Sequence, residues 1–212
     1  VIGFDNDVTI LDPLLFKKVR RYFENEPRYT GLAFRLLTPD EKVDDAPRWC
    51  HSKPLDTHSN KSFETSYFCG TGYAFRKKEF FEAGGYPEIL YMHYEEVLLA
   101  YRIIDNGGTI QYIPDLEVIH HAAETTRRNR IQIFFTPRNQ IMLATLCMSK
   151  VRWFSYVIPR VCFNFYKSVV QSYFLSFFSA MKAYVLLHKE CLRQRQTLKA
   201  STWKRIKKME SQ

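Results

Sequence analysis

Apolar residues recur along this chain with two different periods. Val1-Ile2-Gly3-Phe4 is a short strand-like run that breaks at Asp5. Leu14, Leu15, Val19 and Phe23 then return at helical spacing as far as Pro27, with Asp12 as N-cap and Pro13 in the first turn. Gly31–Leu37 reads as a strand closed by Thr38-Pro39-Asp40. Strand character returns over 67–76, around Gly70-Thr71-Gly72, and 77–83 is a short helix stopped by Gly84-Gly85. Glu95–Asp105 is a helix with Val97, Leu98, Tyr101 and Ile104 apolar, ended by Asn106-Gly107-Gly108. Residues 109–113 and 117–119 read as strands separated by Pro114-Asp115. Strands alternate with helices and no repeat is visible, so the fold class is α/β. Residues 40–66 are polar and irregular, a long loop of the kind that carries function.

From Val151 onward the pattern changes, which divides the chain into a region 1–150 and a basic, aromatic helical segment 151–212. Trp153, Phe154, Tyr156, Phe163, Phe165 and Tyr166 are dense here, yet Arg152, Arg160, Lys167 and Lys182 interrupt them. The longest charge-free run, 168–181, is shorter than the roughly 20 residues a spanning helix needs. Apolar helices edged with Lys and Arg suit a membrane interface instead. Residues 182–212 are basic with a sparse apolar stripe of Tyr184, Leu187, Cys191 and Leu198, which anionic lipid headgroups would attract. The alternative is a helical subdomain packed on the remainder of the chain.

Composition sharpens this division. Hydrophobic content of 46% and aromatic content of 16% exclude disorder. Residues 1–150 carry 19 Lys and Arg against 20 Asp and Glu, whereas 151–212 carry 12 against 2. The net charge of +9 therefore belongs to the C-terminal segment. Its aromatics sit in apolar runs rather than alternating with cations, so a membrane surface fits better than nucleic acid. The five cysteines are widely spaced without a C-x-x-C pair, which argues against a disulfide framework or thiolate zinc site and for a reducing compartment. No signal peptide is expected, and the chain, opening within a strand and without Met, reads as a fragment.

The candidate chemistry begins at Asp5-Asn6-Asp7. Two carboxylates one residue apart, directly after a strand, place hard oxygen donors where ligands bind in open α/β sheets. Such donors match Mg²⁺ or Mn²⁺ rather than zinc. The same residues read equally well as an N-cap or an acidic turn.

Further motifs follow in order: 68–76 (Phe-Cys-Gly-Thr-Gly-Tyr-Ala-Phe-Arg), 79–88 (Glu-Phe-Phe-Glu-Ala-Gly-Gly-Tyr-Pro-Glu), Tyr94-Glu95-Glu96 and Val118-Ile119-His120. From Val1 to about Asn139 this resembles the second half of a family 2 glycosyltransferase, rhamnosyltransferase-like and inverting. The resemblance implies a GT-A-type, Rossmann-like mixed sheet followed by C-terminal helices. It implies that the N-terminal nucleotide-binding half is missing, so that this chain alone binds donor poorly. By the same resemblance, Asp5, Asp7 and His120 hold Mn²⁺ or Mg²⁺ against the donor diphosphate, the Val-x-His pattern selecting His120 over His121. Glu96, beside Glu95, is the implied general base. Leu98 stands where the family often has a further acid. Gly70, Thr71 and Gly72 would let the backbone approach a sugar, although a strand bulge would also call for glycine. Arg127, Arg128 and Arg138 would close over the diphosphate. The implied partners are a nucleotide-diphosphate sugar and a glycan or lipid-linked acceptor, at the cytoplasmic, peripheral face of an anionic membrane.

Two rival readings remain. Phe4 to Asp12 is similar to the opening motif of haloacid-dehalogenase-like phosphatases, with Asp5 as nucleophile and Asp7 as acid/base. Val8 stands where that family usually has Gly, and no late acidic metal motif is present. The other rival is a non-catalytic, glycosyltransferase-like membrane-binding module.

Overall fold

The computed structural model describes residues 1–40, 43–121 and 127–211, with residues 127–130 in backbone only. Six strands form one mixed sheet: β1 (Ile2–Phe4), β2 (Val8–Thr9), β3 (Gly31–Leu37), β4 (Phe63–Thr65), β5 (Gly72–Phe75) and β6 (Ile110–His120). Their order is β1-β5-β3-β6-β2, with β4 also on β6. Only β3 and β6 run parallel; the other pairs are antiparallel. The helices are α1 (Leu15–Asn25), α2 (Leu55–His58), α3 (Lys77–Glu82), α4 (Glu95–Asp105), α5 (Arg127–Cys147), α6 (Lys150–Val170), α7 (Phe174–Arg193) and α8 (Ala200–Ser211). The α/β class holds, and the mixed sheet is compatible with a Rossmann-like arrangement.

Pro114 does not divide two strands as its sequence context suggests. It lies inside the single strand β6, where the register with β3 jumps from Phe34↔Ile113 to Arg35↔Glu117. A bulge removes the need for the amide hydrogen that proline lacks. The loop 40–66 also holds more structure than its polarity suggests: a 3₁₀ turn at Ala46–Arg48, helix α2 and strand β4.

The chain falls into two compact units that do not divide it at one point. The first comprises Val1–Tyr86, Leu99–Ala122 and Lys199–Gln212; the second, Pro87–Leu98 and Ala123–Leu198. In the first, strand alternation sends side chains to two cores. Ala33, Tyr73 and Phe75 join Phe68, Leu99, Ile103 and Tyr112 on one face. Leu32, Phe34 and Ala74 join Leu15, Val19 and Val118 on the other. Helix α8 belongs to this unit, burying Ile206 and Met209 with Ile104 and packing Trp203 on Tyr101.

In the second unit α5 is buried almost all round from Ile141 to Cys147, as a central helix must be. Trp153 of α6 donates its indole N–H to Thr145 of α5 (3.0 Å), and Tyr184 of α7 lies 3.0 Å from the same hydroxyl. Among the described residues no helix is long and apolar enough to cross a membrane.

Candidate metal centre

The Asp5-Asn6-Asp7 link carries the chain from β1, at one edge of the sheet, to β2, at the other. β2 then pairs with the last residues of β6, Val8 opposite His120 and Thr9 opposite Ile119. The His121 amide donates to the Asp7 carbonyl at 2.8 Å. This short ladder brings residues more than a hundred positions apart side by side. One ligand atom each from Asp5, Asp7 and His120 lie within 4.8 Å of one another. All three sit where β1 and β6 end, at the carboxyl edge expected of a ligand site.

His120 is buried, and its Nδ1 lies 2.8 Å from Oδ2 of buried Asp45. An ionised carboxylate only accepts, so Nδ1 donates to Asp45, and Nε2 faces Asp7 Oδ2 3.6 Å away. A histidine backed by a carboxylate in this way has its ring orientation set and its ligating nitrogen made more basic. Asp45 is placed by backbone: its amide donates to the Leu36 carbonyl at the end of β3 (2.9 Å). Its neighbour Asp44 accepts both Nε and Nη2 of Arg35 (2.7 and 3.0 Å). Two adjacent aspartates thus have separate cationic or imidazole partners. Sequence reading missed Asp45 because 40–66 has no motif; its one signal was an adjacent acidic pair in a long loop.

His121 is exposed, and its Nε2 lies 2.8 Å from the Thr9 hydroxyl. The strand alternation that turns His120 inward turns His121 outward.

Thr71 and Gly72, expected to line a sugar, are both buried. The Thr71 hydroxyl donates to Oδ2 of Asp5 at 2.8 Å and so orients that carboxylate rather than standing in the open. At Gly72 a Cβ would come within 3.1 Å of Phe34 and Val118, so packing of the sheet face accounts for this glycine. Gly70 is half-buried in the turn before β5.

The remaining candidates belong to the second unit. Glu95 and Glu96 are half-buried in the first turn of α4, where negative charge complements the helix dipole. Leu98, one turn into the same helix, is fully buried. The segment leading into α4 is unusual: Tyr91, His93 and Tyr94 all have positive φ (62°, 69° and 71°). Such conformations each cost about 1–3 kcal/mol in non-glycine residues and persist only where the surroundings hold them. Here Asn139, fully buried, directs its amide Nδ2 at the carbonyls of Leu90, Met92 and His93 (2.9, 2.6 and 2.8 Å). Arg138 is buried too. Its Nη2 donates to Leu90 O (2.8 Å), its Nε to Asn139 Oδ1 (2.7 Å), and its guanidinium lies over Phe135. The structure therefore places Arg138 as part of a clamp on the 90–94 segment. The side chains of Arg127 and Arg128 lie outside the described residues.

No protein-family model matches this sequence, and no curated protein is similar to it.

Proposed function

We propose that this chain carries the metal-binding part of a GT-A-type, inverting glycosyltransferase that moves a sugar from a nucleotide-diphosphate donor to a glycan or lipid-linked acceptor. The observation that carries this reading is the convergence of Asp5, Asp7 and His120 at the carboxyl ends of β1 and β6, with Asp45 behind the histidine. Two carboxylates and one imidazole make a mixed oxygen and nitrogen donor set, which suits Mn²⁺ and also admits Mg²⁺. A divalent cation there supplies a Lewis acid for the negative charge of a departing diphosphate. The protein's own part is to keep the ligands in place: Thr71 orients Asp5, and Asp45 orients His120. Glu96, by our reading, accepts the proton of the attacking acceptor hydroxyl.

The phosphatase reading asks Asp5 to be a nucleophile, but Oδ2 of Asp5 already accepts from the Thr71 hydroxyl at 2.8 Å.

The test is titration of the chain with Mn²⁺ by calorimetry, together with transfer from a panel of nucleotide sugars by the full-length protein. Asp7→Ala and His120→Ala should each weaken Mn²⁺ binding by at least about tenfold. Glu96→Gln should keep Mn²⁺ and donor binding yet lose transfer. Wild-type protein that neither binds Mn²⁺ nor transfers sugar sinks the proposal; normal transfer by Glu96→Gln removes the base assignment alone.

A further inference from the structure

Helix α6 carries an apolar line that faces solvent along its whole length. Val151, Phe154, Ile158, Cys162, Phe165 and Val169 follow one another at intervals of three or four residues, and every one is exposed. Three- and four-residue steps keep side chains on one helix face, so this is a continuous stripe about 27 Å long at 1.5 Å rise per residue. A stripe of this kind normally turns toward a core. The inward side of α6 is instead supplied by Val157 and Ser168.

Helix α7 repeats the pattern. Phe174, Phe178, Val185 and Leu192 line one exposed face, and Lys182 and Lys189 occupy the intervening positions on that same face. The two stripes meet: the ring of Phe165 on α6 lies 6.2 Å from that of Phe178 on α7. Leu175 and Leu186 extend the face of α7, at 70% and 74% exposure. The left-handed Ser172 (φ 60°) ends α6 and turns the chain into α7, so the longest charge-free run is spread over two helices.

Charge identifies what such a face fits. Helices α6 and α7 together hold seven Lys and Arg and one acid, Glu190, which pairs with Arg193 at 3.0 Å. Apolar side chains interleaved with lysines on one helix face allow rings to enter an acyl boundary while ammonium groups reach up to phosphates. A continuous exposed face of aromatic and aliphatic side chains is the kind of surface that marks an interaction site. From the two joined stripes and their cations we infer that α6 and α7 form a docking face for an anionic lipid bilayer, lying in its interface without crossing it. This inference stands independently of the metal centre.

The experiment is cosedimentation of the chain with vesicles of phosphatidylcholine alone and of phosphatidylcholine mixed with phosphatidylglycerol, at low and high salt. Binding to the anionic vesicles, weakened by salt, is expected. Phe154→Ser combined with Ile158→Ser and Phe178→Ser should lower vesicle affinity more than about tenfold. Lys182→Glu combined with Lys189→Glu should lower it by a similar factor on anionic vesicles and remove most of the salt dependence. All five positions are exposed, so circular dichroism should show the helices unchanged. Asp7→Ala should bind vesicles like the wild type, which separates this inference from the metal reading. Four results would overturn it: wild-type protein that ignores anionic vesicles, a triple variant that binds them undiminished, a wild-type dimer that the triple variant dissolves without any vesicle binding, or preference for a single-stranded oligonucleotide.

Discussion

Nδ1 of His120 and Oδ2 of Asp45 lie 2.8 Å apart, and both side chains are buried. The pair joins the end of β6 to the loop after β3, and it fixes which imidazole nitrogen faces Asp7. Removing the carboxylate frees the ring to rotate away from Asp7. Asp45→Ala is therefore expected to weaken Mn²⁺ binding by about 10–100-fold. Asp45→Asn keeps a carbonyl that accepts from Nδ1 and should lose less. Calorimetric titration of both variants checks this; equal affinity in Asp45→Ala and wild type would mean the ring needs no second anchor.

Asn139 makes a different kind of link, setting its two amide hydrogens among three carbonyls of a segment in which Tyr91, His93 and Tyr94 are held at positive φ. Asn139→Ala takes the amide donor from the Met92 and His93 carbonyls, while Leu90 keeps Arg138, at about 1–3 kcal/mol for each acceptor left unsatisfied. Urea denaturation should register a loss of several kcal/mol in total. Proteolysis should become faster within 90–94. On the proposed base role of Glu96, sugar transfer should also fall, since α4 begins directly after this segment.

His51 predicts a pH effect. Its imidazole is ringed by Trp49, Phe63 and Tyr112, with centroids 4.8, 5.2 and 5.0 Å away. Its Nδ1 lies 2.8 Å from the Thr65 hydroxyl. Burial pushes its pKa from 6.5 down to about 3. Above pH 6.5 the ring is neutral in both folded and unfolded chains and contributes no pH dependence. As the pH falls toward 3, the unfolded chain takes up a proton that the native ring refuses, so stability declines, each pKa unit being worth at most about 1.4 kcal/mol. His51→Phe fits the aromatic surroundings and should flatten this part of the curve. Urea midpoints between pH 7 and about 4 decide it; parallel curves for the two proteins would refute the assignment.

Asp105 ends α4 and caps α8. Its Oδ1 accepts from the Lys199 amide (2.8 Å) and from the Thr202 hydroxyl (2.6 Å). Lys199 also donates its ammonium to the Asp105 carbonyl (2.8 Å). Asp105→Ala removes the cap and strands the Lys199 amide and the buried Thr202 hydroxyl, so a loss of about 1–3 kcal/mol is expected. Hydrogen exchange at the first amides of α8 should accelerate before that of β3; uniform exchange across the chain would contradict a local capping role.

The local elements were legible where a single period dominates. Helix α4 runs over the residues its apolar spacing predicts, and β3 likewise. Helix α3 stops where Gly84 and Gly85, at φ of 90° and 62°, accept a left-handed backbone. The candidate ligands Asp5, Asp7 and His120 were chosen by motif, and the sheet brings them together. What the motif could not carry is their surroundings. Asp45 lies in a loop of mixed polarity, and Thr71 reads as part of a glycine-rich turn until its hydroxyl is seen on Asp5.

By itself, the order of residues determined the periods and the stops, because these depend on neighbours within a few positions; the N-cap it suggested at Asp12 is not the one α1 uses, since the helix begins at Leu15 after Leu14. It also determined the charge imbalance and the apolar content of α6 and α7. Tertiary structure alone decided that β1 and β2 take opposite edges, that a strand continues through Pro114, and that the stripes of α6 and α7 face outward. The physical reason is that strand partners and buried faces are selected by packing summed over residues far apart in the chain. A local pattern records that a segment has an apolar side, but not which surface, protein or lipid, that side will meet.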